Sequence, residues 1–275
     1  MIPYIVETDT LEAWRQRSDS VVVHVGAAED YQTNRIPGAL FLDIKTLNAG
    51  DAPVTGLLPE IETLQRDLGA IGYRPDLHII AYDNKMGQQA ARLCWVLAAL
   101  GHSRVSWLNG GLRVWMNQRR PTTNGIGDPV ELTQPALNID HSVISHEEDI
   151  RNALQDESIQ ILDARSIEEF RGEKSVSDRK GHIPGALHLD WRDTIVSPEQ
   201  PVLKTPQQLW QLTDSISLNP DLPVITHCQT HQRSSHMFVV LKSLGFKNVS
   251  GYPGSWAQWS LSADNPIVNL FGAAG

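Results

Sequence analysis

The chain has 275 residues, a formal net charge of −9, 41% apolar and 20% charged residues, and two cysteines, Cys94 and Cys228. That length predicts two domains of roughly 130 residues, each able to bury its own core. The acidic balance argues against nucleic acid or an anionic membrane as partner, no apolar run nears the roughly 20 residues that a bilayer span needs, and two cysteines exclude a disulfide framework and fit a reducing compartment. The opening MIPYIVETDTLEAW has no basic-then-apolar order, so a cytoplasmic chain without a leader is expected.

Taken in chain order, the first strand signal is the β-branched run Val21–Val25, followed by a turn at Ile36-Pro37-Gly38-Ala39. A second strand is predicted at His78–Tyr82, then a long helix, then a third strand at Val105–Leu108. The apolar helix segment Leu93–Leu100 surrounds Cys94 with Leu93, Trp95 and Leu97, which makes Cys94 a packing residue. Pro121–Pro135, rich in Gly, Pro, Thr and Asn, reads as a linker. The same order then returns, with strands at Ile159–Leu162, Val224–His227 and Asn248–Ser250.

The return is also visible residue by residue. Arg35-Ile36-Pro37-Gly38-Ala39-Leu40-Phe41-Leu42-Asp43 matches His182-Ile183-Pro184-Gly185-Ala186-Leu187-His188-Leu189-Asp190, Leu100-Gly101 matches Leu244-Gly245, and Gly110 to Trp115 matches Gly254 to Trp259. Ordered matches of this kind mean one unit written twice. The expected fold is therefore α/β, with two domains related by internal duplication, each a parallel sheet covered by helices on both faces. The expected boundaries are residues 1–124, a linker at 125–140, and residues 141–275. Ligands of such sheets sit beyond the carboxyl ends of the strands, where Cys228 falls. The corresponding position in the first copy is Asp83, in a segment one residue longer. An aspartate cannot be a sulfur nucleophile, so the first domain is expected to be catalytically silent.

Three roles compete for Cys228. A zinc site would draw on His227, His231 and His236, but His227 would point to the opposite face of its strand and no second ligand cluster with paired spacing exists. A core role lacks the apolar neighbours that Cys94 has. A nucleophile has a physical mechanism, because a thiolate is favoured at a helix N-terminus beside cationic side chains. After Cys228 come Gln229, Thr230, His231 and Gln232, then Arg233, then a helix whose apolar stripe would be Phe238, Leu241 and Leu244, stopped by Gly245. Such a loop would curl its N–H groups into a nest for an anion, with Arg233 adding the charge that an acidic protein must supply locally.

Cysteine-dependent phosphatases place five residues between cysteine and arginine, and this chain has four. The tighter ring fits a single sulfur atom carried on the cysteine. Here the chain resembles the rhodanese family of sulfurtransferases, over nearly its whole length, in His182-Ile183-Pro184-Gly185-Ala186, in Asp163-Ala164-Arg165 followed by Glu169-Phe170, and in Tyr252-Pro253-Gly254-Ser255-Trp256. The loop is similar to that of bacterial tandem-domain members that move sulfur from thiosulfate to cyanide.

The resemblance implies a double displacement through a Cys228 persulfide, with thiosulfate as donor, cyanide or thiols as acceptors, sulfur-acceptor proteins as further partners, no cofactor or metal, and a monomer. It implies a donor-binding role for Arg233, His231 and Ser234, and backbone N–H groups from Gln229, Thr230 and Gln232. Asp163 and Arg165 are expected to form a buried structural pair, while Trp191, Arg192 and Trp256 are either core or cleft lining. The chain departs from many relatives in having His231 where they have glycine, and from its own pattern in having His24-Val25-Gly26 where the second copy has Asp163-Ala164-Arg165. Three alternatives stay open: a 3-mercaptopyruvate sulfurtransferase, whose loops tend to lack the arginine; a persulfide carrier or regulatory module; and a cysteine-dependent phosphatase.

Overall fold

The β-branched run of the first copy forms a strand whose side chains are buried on both faces from Val22 onward, as a strand sandwiched between helix layers must be. The computed structural model describes residues 2–271, and these divide into two compact units. The first contains, in order, β1 (Ile5–Val6), α1 (Thr8–Trp14), β2 (Ser20–Gly26), α2 (Ala28–Thr33), β3 (Leu40–Asp43), α3 (Ile61–Ala70), β4 (His78–Tyr82), α4 (Gln88–Ala99), β5 (Val105–Leu108) and α5 (Gly111–Asn117). Its five strands pair in the order β1-β5-β4-β2-β3, every pair parallel.

The second unit repeats the plan with α6 (Glu147–Ala153), β6 (Gln160–Asp163), α7 (Ile167–Arg171), β7 (Leu187–His188), α8 (Pro206–Ser215), β8 (Val224–His227), α9 (Arg233–Ser243), β9 (Val249–Gly251) and α10 (Ser255–Trp259). Its sheet has the order β7-β6-β8-β9, again all parallel. The chain leaves β6 toward one edge and β8 toward the other, so the crevice between their carboxyl ends is a topological switch point. Asp163 and His227 face each other in register there, and Cys228 follows at once.

Three features differ from the sequence reading. The Ile-Pro-Gly-Ala turns, with Gly38 and Gly185 at φ 78° and 73°, run straight into β3 and β7, which are too short to stand out as strand patterns. Helix α9 carries no one-sided stripe: every residue from Ser234 to Leu241 is buried, because the helix is packed on both sides and solvent reaches only its ends. The units are also not continuous. Gly50–Leu57 belongs to the second unit and Ile195–Leu203 to the first. The latter stretch is tied in by the Leu203 N–H donating to Asn109 Oδ1 at 2.8 Å and by Arg113 donating to the Pro198 carbonyl at 2.6 Å.

The stretch 125–140 lies along the first unit. Thr133 donates its N–H to Gly69 at 3.1 Å and Asp140 to Ala99 at 2.7 Å, while Arg35 reaches the Gly125 carbonyl at 2.6 Å. Among the described residues no helix is long and apolar enough to cross a membrane.

Candidate active site

Strand β8 ends at His227 and α9 begins at Arg233, so Cys228 opens a tight turn between strand and helix. Its side chain is 1% exposed. The turn closes through His231, which sits in the left-handed region at φ 60°, a conformation that costs a non-glycine residue something unless its side chain is held. It is held: His231 Nδ1 lies 2.7 Å from Ser234 Oγ. Ser234 in turn directs its hydroxyl to Cys228 Sγ at 3.4 Å.

The turn is clamped from behind by the segment Ser255 to Ala257. The Ser255 hydroxyl accepts the Cys228 N–H at 3.3 Å, and the N–H groups of Trp256 and Ala257 donate to the carbonyls of Cys228 and Gln229 at 2.9 and 3.1 Å. Gln229 Nε2 donates to Ser177 Oγ at 3.3 Å. On the remaining side Gly56 abuts Thr230 so closely that no side chain fits between them. Gln232 is the residue before the helix, at φ −88° and ψ −50°.

Arg233 is the first residue of α9, and its guanidinium grips Glu169 with two bonds of 2.6 and 2.9 Å. Such forked pairing fixes the orientation of the planar group. Burial by itself would lower the Arg233 pKa. The Glu169 hydrogen bond outweighs that, and the charges of Cys228 and Glu169 add to it, so the guanidinium is held above its ordinary value. Arg233 is thus paired with a carboxylate. Glu169 is the partner that residue spacing did not single out; its only trace in the sequence is its place in the motif around Asp163 and Phe170.

Asp163 and Arg165 form the expected buried pair, with 2.6 Å between Asp163 Oδ2 and Arg165 Nη2. Arg165 also donates to the Gly181 carbonyl at 2.8 Å and stacks over Trp256, 4.3 Å from the ring centroid. Burial would raise the Asp163 pKa, but Arg165 and then His227 hold it well below the usual carboxylate range. His227 Nε2 lies 3.7 Å from Asp163 Oδ2, and burial lowers the imidazole to about 4. His236 packs edge-on against Trp191 and bonds Thr194 Oγ1 at 2.7 Å. The histidines weighed as zinc ligands are thus tied into separate contacts, and among the described residues no group of three or more His, Cys, Asp or Glu could hold a metal ion. Trp191 and Trp256 are core, 5% and 0% exposed, and Arg192 pairs with Asp190 at 2.6 Å. Cys94 is buried in α4, and burial pushes its thiol pKa up.

In the first unit the equivalent turn is filled by its own side chain. The Asp83 carboxylate accepts four backbone N–H groups, from Lys85 and Gly87 at 3.0 Å each on one oxygen and from Gln89 and Ala90 at 2.9 and 3.0 Å on the other. Its left-handed residue is Gly87, at φ 91°, one position later than His231 relative to the head of the turn.

A tandem pair of parallel sheets, each with a tight turn after a central strand and a cysteine at the head of only one of those turns, defines a family. The model of the rhodanese-like domain matches residues 7–118 and 146–262, and the chain belongs to that family. It is 33% identical over 270 residues to a thiosulfate sulfurtransferase of Azotobacter vinelandii, covering 97% of each chain. It is 31% identical over 248 residues to a 3-mercaptopyruvate sulfurtransferase of Escherichia coli O157:H7, covering 88% of this chain and 86% of the relative. The solved structure of SseA from Escherichia coli, a 3-mercaptopyruvate sulfotransferase, superposes with a TM-score of 0.83 at 27% identity, over 92% of this chain and 99% of that one. The protein is a sulfurtransferase of the rhodanese family.

Proposed function

We propose that the protein moves the sulfane sulfur of thiosulfate to cyanide or another thiophile through a persulfide on Cys228. The carrying observation is the pairing of a buried thiol with a hydroxyl donor on its sulfur and a fixed guanidinium five positions beyond it, at the end of the same turn. The Cys228 thiolate attacks the outer sulfur of thiosulfate, the S–S bond breaks with its electron pair on sulfite, and Cys228 keeps the transferred sulfur. The acceptor then takes that sulfur and the thiolate is restored. Splitting the transfer this way replaces one difficult step by two easier ones.

Arg233 draws the dianionic donor to the mouth of the turn, and backbone N–H groups of the kind that grip Asp83 serve the sulfur anion. The presence of Arg233 favours thiosulfate over 3-mercaptopyruvate, and the four-residue ring favours sulfur over a phosphoryl group. No cofactor enters this scheme, and small molecules are the partners it requires. Incubation with thiosulfate should add the mass of one sulfur to the protein, removable by cyanide. A chain loaded by 3-mercaptopyruvate and not by thiosulfate would overturn the donor assignment, and one loaded by neither would overturn the transfer reading.

A further inference from the structure

The hydrogen-bond chain ending on Cys228 has a direction. Ser234 has one hydroxyl proton, and its oxygen lies 3.4 Å from Cys228 Sγ and 2.7 Å from His231 Nδ1. A thiolate accepts and never donates, so the Ser234 proton points at sulfur. The Ser234 oxygen is then left as acceptor for His231, whose proton sits on Nδ1. All three side chains are buried, so water does not supply this donor in their place.

The internal duplication gives the same answer from a different side. The matched pair Leu100 and Leu244 sets the register of the two helices, and carried back along them it puts Ala90 in the place of Ser234 and Gly87 in that of His231. The copy without the sulfur lacks both the hydroxyl and the imidazole, while its amides still bind an anion. The hydroxyl and the imidazole are therefore found only in the copy that has the sulfur, and the first copy shapes its turn with a glycine instead.

We propose that Ser234 is a catalytic residue for the discharge half-reaction, and that His231 is the positioning residue that orients it. This deepens the sulfurtransferase reading and rests on it. In loading, Sγ starts as an anion and gives its electron pair to the incoming sulfur, so a donor on Sγ is worth most before the step and slows it. In discharge, the acceptor's lone pair attacks the outer sulfur, the bond from Sγ to that sulfur breaks, and the electron pair returns to Sγ. Negative charge then grows where the Ser234 hydroxyl stands, and the donor favours the transition state over the persulfide. One hydrogen bond thus acts oppositely on the two halves of the cycle and sets which of them limits turnover.

The test measures both half-reactions separately, by rapid quench and mass spectrometry, with thiosulfate loading the protein and cyanide unloading it. Ser234→Ala should lower the ratio of discharge to loading rate constants about tenfold, the loss expected of one hydrogen bond to a charged sulfur. His231→Gly, which suits the left-handed backbone while removing the imidazole, should shift the ratio in the same direction. His231→Asn, tolerant of that backbone and still a donor, should restore part of it. If Ser234→Ala and His231→Gly leave the ratio unchanged, or slow both halves equally as a merely structural role would, the inference is wrong while the transferase reading stands. A wild-type chain that gains no sulfur refutes the transferase reading, and this inference with it.

Discussion

Gly56→Ala should disable the site without touching a residue that bonds the sulfur. Gly56 is in the segment Gly50–Leu57, which the chain contributes to the second unit from far upstream. A methyl carbon built on it would stand 2.6 Å from the carbonyl carbon of Thr230 and 2.9 Å from its Cα, and closer still to the carbonyl oxygen. Carbon atoms in ordinary contact are about 3.5 Å apart or more, so the backbone of the turn would have to retreat by roughly 1 Å. Displacements of about that size cost on the order of a hundredfold in rate when reacting groups are held in a tight geometry. The cost in stability should be smaller, about 1–3 kcal/mol for overpacking. Steady-state turnover with thiosulfate and cyanide, set beside a chemical denaturation curve, separates the two effects. Turnover within threefold of the parent at unchanged stability would mean that the turn is not braced by Gly56.

Cys228→Ala should abolish sulfur uptake from thiosulfate while Cys94→Ala keeps it; a persulfide found by mass on Cys94 would overturn the assignment of the nucleophile. Arg233→Gln should raise the KM for thiosulfate about tenfold or more, since a neutral side chain attracts no dianion and leaves the Glu169 carboxylate facing it, and adding Glu169→Gln should recover part of the loss. Asp163→Asn should cost about 3–5 kcal/mol in denaturant melts, because Arg165 would be left buried and uncompensated; a loss under 1 kcal/mol would contradict that. Burial holds His24, His78 and His227 at about 4 and His236 at about 3, so below pH 6.5 the unfolded chain takes up protons that the folded chain refuses. Stability should be full above that pH and fall between about pH 6.5 and 4, by up to about 1.4 kcal/mol per pH unit for each histidine; a flat profile across that window would show that these groups titrate alike in both states.

The sequence carried the duplicated α/β plan because strands buried on both faces leave β-branched runs that can be read directly, as at Val21–Val25 and Val224–Ile225. The head of the turn is legible for a related reason: the cysteine, histidines and arginine follow directly on an apolar strand, at the end of the sheet where ligands bind. What the sequence concealed were contacts between residues far apart in the chain. Nothing local to Glu169 announces that it will grip Arg233, 64 positions on, and nothing local to Gly56 marks it as the neighbour of Thr230. Periodicity reports a helix with one wet face, and α9 has none between Ser234 and Leu241. The bond of His231 to Ser234 leaves no trace in residue spacing and exists only in the folded turn.

The two copies show what the turn itself is built to do. Asp83 is buried, and burial raises its carboxyl pKa against the pull of four amides. A carboxylate on three bonds would be costly in such a place, and the four donors are what make it tolerable. The first copy's turn is thus an anion site by virtue of its backbone, and under the proposed mechanism the identity of the first residue decides whether the anion is permanent or is made and consumed in each cycle. An aspartate fills the site once and for all. Under the proposed mechanism a cysteine leaves it to be occupied by a charge that moves between Sγ and a transferred sulfur, and such a site needs donors that follow the charge. Asp83→Cys alone should therefore take up sulfur poorly, because Gln89 and Ala90 stand where Arg233 and Ser234 do. Adding Gln89→Arg and Ala90→Ser in a Cys228→Ala background should raise persulfide formation at residue 83. The absence of any gain from those two changes would show that the second copy owes its chemistry to something other than the side chains at the head of α9.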